Sequence, residues 1–278
     1  MAALVLTAGI GAAPVSVPAA PPKAALAPIA VATPTRQADD AGRLVFLLEY
    51  AGMDYENAVR DGNVVDQAEY GEVLRLLQEL ARGYGARKDR SVAVATAIAA
   101  LQKDVERRAP AEQVFAASRK LLPRLIASVG GVPGPADPPN LASGRRLYET
   151  DCAPCHGETG AGDGPSSPGM TPPPTAFRGA FLERLAPRQI YNALTHGVPD
   201  TAMPSYHGAY DEQQRWDVAF FVPTLRVGFA PKPLPPGVSP SLDELASSSN
   251  AELLAYLQKR DAAATPEQVD QLRAGVGV

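Results

Sequence analysis

Cys152-Ala153-Pro154-Cys155-His156 decides how the rest of this 278-residue chain is read. The C-x-x-C-H spacing lets two thiols add across the two vinyl groups of one haem, and it leaves the imidazole that follows in place to bind the iron. Cys152 and Cys155 are the chain's two cysteines. A structural zinc site would need a second ligand pair, and none stands at finger or ribbon spacing. A thioredoxin-like redox pair would need a βαβ setting, whereas the flanks here read as helix on one side and loop on the other. The motif therefore predicts one covalent haem c, attached at Cys152 and Cys155, with His156 as proximal ligand.

The surroundings supply helices for such a group. Leu141, Gly144 and Tyr148 fall on one face of a short amphipathic run leading into the motif. A second run, Asp211 to Val222, opens with acids suited to a helix N-terminus and carries a Trp/Phe/Val face. Gly144 and Tyr148 lie eight and four residues before Cys152, and in this the chain resembles the class I cytochromes c. That resemblance implies an all-α domain over 136–229 in which Gly144 lets the first and last helices cross tightly against Phe220. Pro223 departs from the family's pattern and predicts an early end or kink in the last helix.

The sixth ligand has to come from Met170, Met203, His196 or His207, the sulfur and imidazole donors downstream of the motif. Met170 follows His156 by 14 residues within a Gly/Pro-rich loop, and Met203 follows it by 47, enough chain to wrap the porphyrin edge. Met170 also reads as an apolar loop contact, and the two histidines as polar residues at the haem rim. Gly197-Val198-Pro199-Asp200-Thr201-Ala202-Met203-Pro204-Ser205-Tyr206 resembles the G-x-x-x-T-x-M-P-x-[FY] loop from which class I cytochromes present methionine, which selects Met203. A thioether in that position raises the reduction potential relative to a second imidazole. By the same resemblance Gly157 and Gly162-Asp163-Gly164-Pro165 form a tight loop under the proximal histidine. A carbonyl of Pro165 or of Pro172-Pro173-Pro174 is expected to accept the His156 Nδ1 proton.

Composition bounds the rest. A formal charge of −4 and the lack of any basic tract argue against nucleic acid. Residues 1–38 are Ala/Val/Pro-rich, with a first apolar block, Ala2 to Ala13, of signal-peptide length and a proline-rich linker behind it. No positive residue precedes Lys23, so the signal is atypical or the start lies elsewhere. No later stretch reaches the roughly 18 apolar residues of a membrane span, so the mature chain is expected to have none. Haem attachment through C-x-x-C-H implies, by family resemblance, export to a bacterial periplasm.

Between 39 and 129 the pattern is helical and nearly free of proline, which predicts a bundle of about four helices ahead of the haem domain. Leu44, Leu47, Leu48 and Ala51 form one stripe. Asp66-Gln67-Ala68-Glu69 reads as a capping box that starts the helix carrying Val73, Leu74, Leu76 and Leu77. Further helices run from Ser91 to Val105 and from Ala111 to Ser128, and Gly130-Gly131-Val132-Pro133-Gly134-Pro135 marks the boundary. Residues 230–278 read as a proline-rich spacer and a short helical tail, with Asn250 and Thr265-Pro266-Glu267 at helix starts. Acids are dense near the front of the bundle. Glu49, Asp54, Asp66, Glu69 and Glu72 are hard oxygen donors for ferrous, ferric or calcium ions, and equally fit a solvated face with helix caps.

The run Val59-Arg60-Asp61-Gly62-Asn63-Val64-Val65-Asp66-Gln67-Ala68-Glu69-Tyr70, ahead of a C-x-x-C-H domain, resembles the periplasmic front half of the cytochrome c/FTR1-type iron permeases over about residues 40 to 275. In that family a permease with R-E-x-x-E helices follows in the same chain. This sequence has neither the motif nor the helices. The resemblance implies an accessory or detached periplasmic portion that does not itself transport, with an FTR1-type iron permease and redox proteins as partners. Three functions follow as expectations: an electron carrier linked to ferrous iron oxidation and uptake, a ferroxidase with iron held in the bundle, or a redox subunit of a respiratory dehydrogenase.

Overall fold

The computed structural model describes residues 36–132, 134–199, 201–226 and 237–276, with side chains from residue 40 onward. The signal-like segment, Asp200 and most of the proline spacer lie outside the described residues. The described chain is all-α apart from one hairpin.

Helix α1 (Arg36–Ala58) buries Leu44, Leu47, Leu48 and Ala51, as their spacing predicts, together with Val45, Tyr55 and Ala58. It ends in a two-stranded hairpin, β1 (Val59–Arg60) and β2 (Asn63–Val64), inside a region whose pattern reads as helical throughout. Asp61 and Gly62 make the turn at φ 51° and 75°. An Asp-Gly pair supplies both left-handed positions of a tight hairpin turn, and that local chemistry overrides the helical periodicity. Helix α2 (Gln67–Gly85) follows, with Asp66 accepting from the N–H groups of Ala68 and Glu69 at 2.9 and 3.1 Å. The expected reciprocal half of the box does not form, because the Glu69 carboxylate turns to Asp54 instead.

Helices α3 (Val92–Glu106) and α4 (Ala111–Ser128) complete the four around one core. Three buried tyrosines tie it together by polar tips on apolar bodies. The Tyr55 hydroxyl donates to the Ala109 carbonyl (2.9 Å) and that of Tyr70 to the Val105 carbonyl (3.1 Å), fixing the α3–α4 turn. The Tyr84 hydroxyl donates to Ser128 Oγ and accepts from the Ser91 N–H, both at 2.9 Å, joining three helices at the other end.

A second core is built by α5 (Leu141–Leu147), a π turn (Tyr148–Cys152), α6 (Ala153–His156), α7 (Gly179–Arg184), α8 (Pro187–His196) and α9 (Glu212–Phe221). Helix α9 gives way to a 3₁₀ turn over Val222–Thr224 at Pro223, as expected of a residue that has no N–H for the next helical bond. Asp217, buried on α9, accepts from the Asn140 N–H at 2.8 Å and so pins the start of α5. At the crossing a Cβ on Gly144 would lie 2.1 Å from the Asp217 carbonyl oxygen and 3.0 Å from Phe221 Cβ. The glycine's role stands, but the residues it meets are Asp217 and Phe221, not Phe220, whose side chain is buried elsewhere in the same core.

The tail helices α10 (Leu242–Ser247), α11 (Asn250–Gln258) and α12 (Pro266–Ala274) contribute Leu245, Leu253, Leu257, Val269 and Leu272 to this second core. Arg273 is their knot. Fully buried, it donates to Asn250 Oδ1 (3.0 Å) and to the carbonyls of Leu245 (2.7 Å) and Ser248 (2.6 Å) at the end of α10. Burial pulls its pKa down to about 9. Arg273→Met keeps the volume but strands two buried acceptors and a half-buried one, so it is expected to cost about 3 kcal/mol, read as a lower urea midpoint at unchanged slope.

The two cores meet along α1 and α8, which run antiparallel. Phe46, Glu49 and Met53 share one face of α1 and face His196, Asn192 and Gln189 of α8 in that order.

Candidate haem site

The C-x-x-C-H segment leaves α5 through the π turn, the one place where the helix carries an extra residue per turn. Tyr148, 1% exposed, sends its hydroxyl to the Gly157 carbonyl at 2.8 Å, closing the turn that holds both thiols. Cys152 is buried and Cys155 partly so, and they are free thiols rather than a disulfide. Burial pushes the Cys152 thiol up to about 12.

His156 closes α6, and its Nδ1 lies 3.0 Å from the carbonyl oxygen of Thr175. That contact puts the ring proton on Nδ1 and leaves the Nε2 lone pair for a metal. Burial lowers the imidazole's pKa, favouring the neutral, ligating form. The accepting carbonyl is thus not one of the prolines expected, but the residue directly after them. The loop from His156 to Phe177 is shaped by Gly162, at φ 76°, whose N–H donates to the His156 carbonyl at 2.7 Å. A Cβ there would lie 2.6 Å from the Pro174 carbonyl oxygen. This close approach fixes where the proline run passes, and so places Thr175 beneath the ring. Phe177 stacks on His156 with centroids 4.8 Å apart.

Residues 139–222 match the family described as cytochrome C oxidase, cbb3-type, subunit III. This segment is a cytochrome c domain. No curated protein and no solved structure matches the chain. A cytochrome c domain binds haem and transfers electrons, and the donor set suits that group: two free thiols at C-x-x-C spacing and an imidazole with its Nδ1 already engaged.

The two methionines that could serve as a second iron ligand sit differently. Met203 lies in a loop closed by the Tyr206 N–H on the Leu194 carbonyl (2.7 Å), the Val198 N–H on the Met203 carbonyl (3.1 Å) and the Ser205 hydroxyl on the Thr195 carbonyl (2.6 Å). Thr201 Oγ1 accepts from the Met203 N–H at 3.1 Å. The half-buried Met203 side chain packs against the cytochrome core. Met170, by contrast, sits in a turn closed by its own N–H on the Ser167 carbonyl, and it does not figure in that core. His196 is the last residue of α8, with its ring 5.6 Å from that of Phe46 on α1. Burial there depresses its pKa to about 4. The loop is anchored to α9 by Arg215, a buried cation that donates to the Tyr210 carbonyl at 2.9 Å and lies over the Tyr191 ring. Sequence reasoning passed over Arg215 and Thr175; neither has a local pattern that marks it.

Of the five acids offered as an iron site, three converge. Oxygens of Asp54, Glu69 and Glu72 lie within 4.8 Å of one another. Burial raises Asp54, and the facing Asp54 carboxyl raises Glu69 to about 7, so the pair holds a proton between them near neutrality. Asp66 stays at the head of α2 as its cap. Glu49 is elsewhere, on the seam with α8, where it accepts from Asn192 Nδ2 at 3.3 Å and lies 3.9 Å from Arg119. No helix among the described residues is long and apolar enough to cross a membrane.

Proposed function

We propose that this chain is an exported, periplasmic monohaem carrier that takes electrons from ferrous iron beside an FTR1-type iron permease and passes them to a respiratory chain. Cys152 and Cys155 would hold one haem c as thioethers, with His156 Nε2 and Met203 Sδ as the ligands of its iron. The haem supplies one-electron chemistry; the chain supplies attachment, ligand orientation and partner recognition. The observation that carries the reading is the C-x-x-C-H turn with His156 Nδ1 committed to the Thr175 carbonyl. The description of the matching family, a subunit of cytochrome c oxidase, accords with a carrier that feeds a terminal oxidase.

The iron link rests on the sequence resemblance and is supported by the convergence of Asp54, Glu69 and Glu72. A divalent cation there would displace the proton that Asp54 and Glu69 share, so binding should strengthen as pH rises through about 7 and fade below it. Ferrous iron added anaerobically to the oxidised, haem-loaded protein tests the whole reading, with haem reduction followed by visible absorption. Rapid, saturable reduction is expected, and the combined Asp54→Asn, Glu69→Gln, Glu72→Gln variant should slow it at least about tenfold. Slow, unsaturable reduction indifferent to the three acids would leave an electron carrier with no iron link, such as a dehydrogenase subunit. Saturable release of ferric iron in repeated turnovers with an added electron acceptor would instead make the chain a ferroxidase.

A further inference from the structure

Glu49 has no part in the acid cluster, yet it is 5% exposed, and its Oε1 has no hydrogen-bond partner among the described residues. It occupies the middle of the α1–α8 seam, between the Phe46–His196 contact and the Met53–Gln189 contact. Helix α8 runs directly into Gly197 and the loop that carries Met203, and that loop is laced back onto the last turn of α8 at Leu194 and Thr195. Whatever fixes α8 along its axis therefore fixes the loop. We propose that Glu49 is a positioning residue for the sixth ligand, holding α8 in register while its carboxyl is protonated and relaxing that hold when it ionises. The inference rests on Met203 being the ligand.

The charges facing Glu49 decide the sign. Arg119 reaches it from α4, Arg188 and the Asn192 amide from α8, and Glu252 from α11; Arg119 is itself paired with Glu252, and Arg188 with Asp243. With both arginines already engaged, burial outweighs their attraction and raises the carboxyl from 4.5 to about 7. The protonated form is thus the one that the seam accommodates, donating or accepting toward Asn192 without an uncompensated charge. An acid whose folded pKa lies above its unfolded value lowers stability as pH rises from about 4.5 to about 7, and the loss is complete above that window. His196, the other titratable group on the seam, is held neutral down to about 4 and stays out of this range.

The test compares the oxidised, haem-loaded protein with Glu49→Gln, a permanently neutral side chain of the same shape, across neutral pH. In the unmodified protein the sulfur-to-iron absorption and the reduction potential are both expected to fall as pH rises through about 7. Glu49→Gln should be flat, at the unmodified protein's low-pH values, and Glu49→Asp should keep an inflection. Thermal midpoints of the haem-loaded proteins should diverge over the same window, with Glu49→Gln the more stable on the alkaline side. An inflection unchanged in Glu49→Gln, or one abolished instead by His207→Asn, would overturn the proposal. Sulfur-to-iron absorption that survives Met203→Ala would remove the ligand assignment and the proposal with it, whereas diverging midpoints alone would reduce Glu49 to a stability residue.

Discussion

Gly144→Ala is expected to lower the stability of the cytochrome domain by about 3 kcal/mol or more, seen as a fall in the denaturation midpoint and poor haem retention. The substitution improves local helix propensity by about 1 kcal/mol, so a helix considered alone would gain. The crossing decides otherwise, because the new methyl would sit 2.1 Å from a backbone carbonyl oxygen, that of Asp217. A side chain in that position could swing away; a carbonyl inside α9 cannot move without its helix. Separating α5 from α9 also pulls the Asn140 N–H from Asp217 and loosens the contact of Tyr148 with Phe221, whose rings lie 5.5 Å apart. A midpoint equal to that of the unmodified protein would mean that the two helices do not cross this closely in solution.

Met203→Ala is expected to abolish the sulfur-to-iron absorption of the oxidised protein and leave the iron open or water-bound. The reduction potential should fall by a substantial part of the about 0.8 V that axial ligation spans. The loop itself should survive, since its closing bonds involve backbone groups together with the Thr201 and Ser205 hydroxyls, and the methionine contributes only its own N–H and carbonyl. The effect is therefore one of ligation rather than folding, and unchanged far-ultraviolet circular dichroism would separate the two. Persistence of the absorption in Met203→Ala and its loss in Met170→Ala would move the ligand to Met170.

What the sequence made legible follows the range over which its signals act. C-x-x-C-H is local, and so is the Gly144/Tyr148 spacing on one helix face; both led to the right elements. The α4 limits, Ala111 to Ser128, could be read from periodicity alone. The crossing partner was misplaced by one residue because the phase of α9 relative to α5 depends on where Asp217 takes hold of Asn140, 77 residues away. Thr175 was missed because the path of three prolines is set by how closely Gly162 lets the chain approach Pro174, not by the prolines. Asp54, Glu69 and Glu72 were recognised as acids but could not be told from Glu49 and Asp66 before α1 and α2 were laid side by side. Glu49 illustrates the limit most clearly, as its partner Asn192 lies 143 positions along the chain.

The π turn at Tyr148–Cys152 has a consequence for how this segment can vary. Glu149 and Thr150, at its outside, are exposed, and their replacement should be tolerated. Their number is another matter: removing one residue would restore the ordinary helical path and swing Cys152 and everything after it around the axis, parting the Tyr148 hydroxyl from Gly157. Across diverging descendants of this chain, positions 149 and 150 should drift freely in spelling while the turn between Tyr148 and Cys152 stays fixed in length, so a single in-frame codon loss would do more harm there than several substitutions at those two positions.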